Sequence, residues 1–196
     1  MRMQVKNGEI ILDKHLNKLD KFVLGITKLF TCKYVIVSGY VEILFGRNRA
    51  SEDIDFLIPR LKEEEFKIFW DSVIQEFECL NTPRMEEALK EYLSEKHAIR
   101  FSPPKAYLPN AEIKFVQNEL DSLALDSAIK VVLNGTELYV SPIEMQIAYK
   151  LYLGSDKDVE DAVFLFELFR KTLDMETLHE FGRKLQILEK INTYLK

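Results

Sequence analysis

Residues Asp53-Ile54-Asp55-Phe56-Leu57-Ile58, closed by Pro59, alternate polar and apolar side chains. On a strand, this period of two sends Asp53 and Asp55 to one face and Ile54 and Phe56 to the other. The segment therefore belongs to a sheet with one face in the core, and two carboxylates emerge side by side on the opposite face. Carboxylates held that close repel each other, and one pKa rises unless a cation sits between them. Magnesium, or manganese in its place, suits such an oxygen-only set, with substrate phosphates completing the octahedron.

Upstream, Tyr34-Val35-Ile36-Val37 reads as a short buried strand ending at Ser38-Gly39, and Tyr40 to Phe45 reads as a helix begun at that glycine. Backbone N–H groups at such a hand-over point at anionic oxygens, aided by the helix dipole. Gly39 permits close approach, and Ser38 adds a hydroxyl. Thirteen residues separate Gly39 from Asp53. The end of that spacer is a polar loop carrying Arg47, Arg49 and Ser51 just before the aspartates, in position to neutralise a triphosphate.

A second acidic strand, Ala111-Glu112-Ile113-Lys114-Phe115-Val116, repeats the alternation with Glu112 and Lys114 on one face. If the two strands are neighbours, Glu112 joins Asp53 and Asp55 as the third carboxylate of a two-metal site. An acidic residue on an edge strand also serves simply to block aggregation. Lys114 either touches a phosphate or balances the acidic cluster.

The rest of the chain supplies a scaffold. Apolar spacing predicts helices over Leu12 to Phe30, Leu61 to Glu78 and Arg84 to Lys96, with strands at Ala98 to Ser102 and Ala111 to Val116. Asn134-Gly135, between Ile129 to Leu133 and Leu138 to Val140, predicts a hairpin that closes the sheet. Ser141-Pro142-Ile143-Glu144 has the form of a capping box, so a helix is expected from Pro142 to Leu153, ended by Gly154. Two more helices are expected at Asp158 to Lys171 and Met175 to Tyr194. The expected architecture is α/β (α+β): a mixed β-sheet flanked by helices over residues 1–140, followed by a helical domain over residues 141–196.

The formal net charge of -5 leaves no global positive field, so a nucleic acid could be held only by a local patch. Cys32 and Cys79 lack metal-ligand spacing and fit a reducing compartment. His15, His97 and His179 share no spacing and receive no role. Phe164, Phe166 and Phe169 read as helix core. No apolar run is long enough to span a bilayer, and Met1 to Lys14 lacks the pattern of a signal peptide, so a cytoplasmic location is expected.

The combination of Val37-Ser38-Gly39 with Asp53-Ile54-Asp55 resembles the polymerase-beta-type nucleotidyltransferase superfamily, and within it most resembles the AbiEii-type toxin nucleotidyltransferases. Arg49 and Ser51 match the Arg and Ser that precede the paired acids there. Lys150 matches a helical lysine of that group, and Lys157-Asp158 with Asp161 matches its downstream basic-acidic pair and further aspartate. The likeness spans residues 34–170, and its first block is the specific part.

The resemblance implies a nucleotidyltransferase fold with an NTP as substrate and transfer to an acceptor hydroxyl of RNA such as tRNA, of a protein or of a small molecule. It also implies a two-metal mechanism using Asp53, Asp55 and Glu112. Ser38, Gly39, Arg47, Arg49, Ser51, Lys150 and Asp158 would surround the nucleotide, and a cognate antitoxin or partner protein would be possible. The Ser-Gly turn departs from the usual Gly-Gly or Gly-Ser, which leaves open a catalytically inactive nucleotide-binding or partner-binding module of the same fold. Lys150 also reads as a snorkelling rim lysine, and Asp158 as a helix cap.

Overall fold

The computed structural model describes residues 1–6 and 8–196. The chain begins with β1 (Arg2–Lys6) and β2 (Glu9–Asp13), then α1 (Lys18–Thr27), β3 (Val35–Val37), α2 (Gly39–Leu44), β4 (Asp53–Ile58) and α3 (Glu63–Val73). Next come β5 (Glu78–Cys79), α4 (Met85–Glu87, continued by a π-helical turn over Ala88–Leu93), β6 (Ile99–Ser102), β7 (Asn110–Phe115), α5 (Glu119–Asp126), β8 (Ile129–Leu133) and β9 (Thr136–Val140). Four helices end it: α6 (Ile143–Leu153), α7 (Asp156–Phe169), α8 (Met175–Lys184) and α9 (Leu188–Tyr194). The nine strands among the described residues form one mixed sheet in the order β1-β2-β8-β9-β3-β4-β7-β6-β5.

The alternation in β4 does what the sequence requires. Ile54, Phe56 and Ile58 are fully buried. Phe56 packs edge-on against Phe30 and Tyr34, and Phe30 reaches Phe69 of α3. From β7, Phe115 meets Phe66 of α3. Fully burying a side chain of this size contributes about 1.5–3 kcal/mol. A one-residue slip would exchange these rings for Asp53 and Asp55, so register is fixed by the core.

Several elements differ from expectation for identifiable reasons. The helix predicted from Leu12 starts only at Lys18, because Asn17 and Asp20 cap α1 reciprocally: the Asn17 N–H donates to Asp20 at 2.9 Å, and Asn17 Oδ1 accepts from the Asp20 N–H at 2.8 Å. Leu12 instead lies in β2, parallel to β8. The Asn134-Gly135 hairpin forms, with positive φ at both residues (47° and 87°). It does not close the sheet, because the Asn134 side chain accepts from the Lys14 N–H at 3.0 Å and donates to its carbonyl at 2.9 Å. Those bonds help fasten β2, with β1 beyond it, outside β8.

The capping box at Ser141 does not form. The Ser141 hydroxyl donates to Gln146 Oε1 at 3.0 Å, and Glu144 accepts from the Asp174 N–H at 2.9 Å. Gly154 ends α6 with φ 73°, as expected. Ser155, not Asp158, caps α7. The helix predicted over Leu61 to Glu78 ends at Val73 and gives way to β5, and the last predicted helix breaks into α8 and α9 around Gln186 at φ 57°. Helix α5 was not anticipated. Among the described residues, no helix is long and apolar enough to cross a membrane.

Candidate active site

Strand β4 runs parallel to β7 with Asp53 opposite Asn110, Asp55 opposite Glu112 and Leu57 opposite Lys114. Side chains alternate identically on paired strands, so these six share one face of the sheet. On the other side of β4, Val37 of β3 lies opposite Asp55, which brings Ser38 to the same rim. Above this face is a cleft of about 500 Å³ with Ser38, Asp55 and Lys114 in its floor. Leu120 and Asp121 of α5 form one wall, and Met145 and Tyr149 of α6 another. Asp53 is exposed beside it, where the Ser51 hydroxyl donates to Asp53 Oδ1 at 3.2 Å and to its carbonyl at 3.1 Å.

The charges on this face are unequal in their freedom. Burial pushes the Asp55 carboxyl above the usual range, and repulsion from Glu112 and Asp53 adds to that, while Lys114 and Ser38 oppose it. Burial would raise Glu112 as well, but hydrogen bonds from Lys114 and Arg100 overcome it and hold the group below its ordinary value. Lys114 Nζ lies 2.6 Å from Glu112 Oε1, and Arg100 donates to Oε2 from Nη2 at 2.7 Å and from Nε at 3.1 Å. Both oxygens of Glu112 are therefore engaged by cations.

Asp53, Asp55 and Glu112 share this face, yet Glu112 is engaged by Lys114 and Arg100, and among the described residues no three His, Cys, Asp or Glu side chains are grouped to hold a metal ion. Arg100 reaches Glu112 because it sits opposite it in the antiparallel β6–β7 pair, and Lys114 reaches it from two residues along the same strand. The alternation of Ile99-Arg100-Phe101 signals that Arg100 faces away from the core, but the sequence does not disclose the register that sets it beside Glu112.

The turn itself is unusual. Ser38 has φ 61° and ψ -147°, close to a region that is essentially reserved for glycine. The backbone at this turn thus makes a demand that glycine would meet without cost and that this chain meets with serine. Gly39 permits a close approach, but of Arg49: a Cβ on Gly39 would meet Arg49 Nη2 at 2.8 Å.

Arg49 belongs to a buried ionic network on the far side of the turn. It pairs with Asp161 and, at 3.6 Å, with Glu42. Lys150 Nζ binds Asp161 at 2.9 Å and Asp158 at 3.1 Å. Arg47 bridges Asp161 at 2.7 Å and Glu160 at 2.8 Å. Gln146 donates to Glu42 at 3.0 Å and to the Ser38 carbonyl at 2.9 Å, connecting the network to the turn.

Glu42 and Asp161 are fully buried. Burial, only partly offset by the nearby Lys150 and by Gln146, pushes the Glu42 carboxyl upward. Burial would lower Lys150, but Glu42 and Asp161 outweigh it and the ammonium is held above its usual range. Arg47, Arg49, Lys150 and Asp158 were expected around a triphosphate. The structure turns them toward one another and toward Glu42 and Asp161, because buried carboxylates without cations carry a penalty of several kcal/mol. Glu42 escaped the sequence reading, although a charge within the apolar run Tyr40 to Phe45 was a signal that it must be paired.

No protein-family model matches the chain, and no curated protein matches it in sequence. In three dimensions it is similar to an antigenic nucleotidyltransferase-like protein from Paracoccidioides brasiliensis, with 16% identity and a TM-score of 0.51 over 89% of this chain and 88% of that one. JHP933 from Helicobacter pylori superposes with a TM-score of 0.47 and 16% identity, over 91% of this chain and 81% of that one. The first of these likenesses shows the fold: a mixed nine-stranded sheet with flanking and C-terminal helices, of the nucleotidyltransferase-like kind.

Proposed function

We propose that this chain transfers a nucleotidyl group from an NTP to an acceptor hydroxyl in the cleft between the β4–β7 face and helix α6. The observation that carries the reading is Asp55 in the cleft floor, its charge made costly by burial and by Glu112 and Asp53. A divalent cation shared by Asp53 and Asp55 would relieve that cost, so these two residues fit magnesium or manganese. Once bound, such a cation supplies Lewis-acid polarisation of the phosphates and neutralises charge on the leaving pyrophosphate.

The chain's own groups do the rest. Lys114, in the floor, offers a positive charge to phosphate oxygens, and Ser38 offers a hydroxyl at the rim. Tyr149 and Met145 present aromatic and apolar surface of the kind a nucleobase stacks on. The ionic network fixes α6 and α7 against the Ser38-Gly39 turn through Gln146 and Arg49, and so keeps the cleft walls in register with the aspartates. An AbiEii-type toxin or defence role beside a cognate antitoxin rests on the sequence resemblance alone, since Lys150 bonds Asp158 and Asp161 instead of lining the cleft.

A second reading, a nucleotide-binding module without transfer, is favoured by one observation: Glu112 has both oxygens occupied. Incubation with α-phosphate-labelled NTPs, magnesium and either total RNA or a protein extract separates the two. Labelled RNA or protein that disappears with Asp53→Ala is expected. Nucleotide binding with no labelled product in either pool would favour the second reading.

A further inference from the structure

We infer that the Lys114 ammonium stands in place of a second metal ion, so that this site binds one divalent cation. The inference rests on the reading of Asp53 and Asp55 as cation ligands and concerns what the third carboxylate does. Asp55 and Glu112 are paired directly across two parallel strands, and a shared cation is what two such facing carboxylates would otherwise attract. Lys114 leaves the same face of β7 two residues further on and turns back, placing Nζ 2.6 Å from Glu112 Oε1.

Arg100 closes the other oxygen from the neighbouring strand at 2.7 Å. A metal at Glu112 would have to displace an ammonium that is already paired, half-buried and covalently tethered, so it pays no association entropy. Among the described residues no cation is paired with Asp53 or Asp55: Lys114 acts on Asp55 only at longer range, and the contact to Asp53 is the Ser51 hydroxyl, which a metal tolerates. Lys114 thus fixes the number of ions, and it carries its own charge into the cleft.

The test is a titration of the full chain with Mn²⁺ alone, free ion being read by electron paramagnetic resonance. Wild type is expected to bind one ion per chain and Asp53→Asn to weaken it at least tenfold. Lys114→Met is expected to bind two ions, Lys114→Arg one, and the double variant Lys114→Met with Glu112→Gln one again. Circular dichroism confirms that each variant is folded. Two ions bound by wild type, or one by Lys114→Met, would overturn the inference while leaving the Asp53–Asp55 reading intact. No ion bound by any folded form would overturn both.

Discussion

The guanidinium of Arg49 rests on Gly39, so closely that an added Cβ would lie 2.8 Å from Nη2. The close approach expected of this glycine is used inside the protein, to bring a cation from the loop before β4 onto Glu42 and Asp161. The turn that starts α2 and the helices that close the cleft are therefore joined through one residue without a side chain.

Gly39→Ala should be destabilising. The guanidinium is the end of a flexible side chain, but it is pinned by Asp161 and Glu42 and can move only by loosening those pairs. A cost of about 1–3 kcal/mol is expected, of the size seen on overpacking. Urea denaturation of Gly39→Ala, Arg49→Met and the double variant measures it: once Arg49 is gone, the alanine should cost almost nothing further.

Ser38→Gly should act in the opposite direction. The serine holds a backbone conformation that costs roughly 1–3 kcal/mol for a residue with a Cβ. Glycine relieves this but adds about 0.5–1 kcal/mol of unfolded-state entropy. A net stabilisation of about 1 kcal/mol in urea denaturation is expected. A loss of stability would mean that the hydroxyl beside Asp55 contributes more than the strain costs.

The strand and turn were legible because local chemistry alone determines them. Asp53 to Ile58 has its period and its terminating Pro59 within the segment, and its bounds match the observed strand. Gly154 likewise announces the end of α6. Leu12 misled because it lies at helical spacing from Leu16 and Leu19 while also fitting a strand; its true place depends on Asn134, far along the chain. The site was legible in its residue types more than in its pairings. Glu112 and Lys114 were visible as one face, but Arg100 depends on strand register. Arg47 and Arg49 were visible as charges near the motif and Lys150 through the resemblance, but their partners depend on which carboxylates the fold buries.

Glu42 should make stability depend on pH. Its folded-state pKa is raised above its unfolded value by burial. The stability it contributes is therefore fully present below the ordinary glutamate range and is lost as pH rises through the raised value. Urea midpoints of wild type and Glu42→Gln across this range provide the check. The stability of wild type relative to Glu42→Gln is expected to fall as pH rises, and a flat difference would show that the Glu42 pKa is the same in the folded and unfolded chain.

The most direct measurement is calorimetric titration of each common ribonucleoside triphosphate, with magnesium, into wild type and Asp55→Asn. Saturable binding of at least one triphosphate by wild type, lost on removing magnesium and weakened at least tenfold in Asp55→Asn, is the expected result. Absence of binding by wild type, or binding that Asp55→Asn leaves unchanged, would contradict a nucleotide site built on the β4 aspartates.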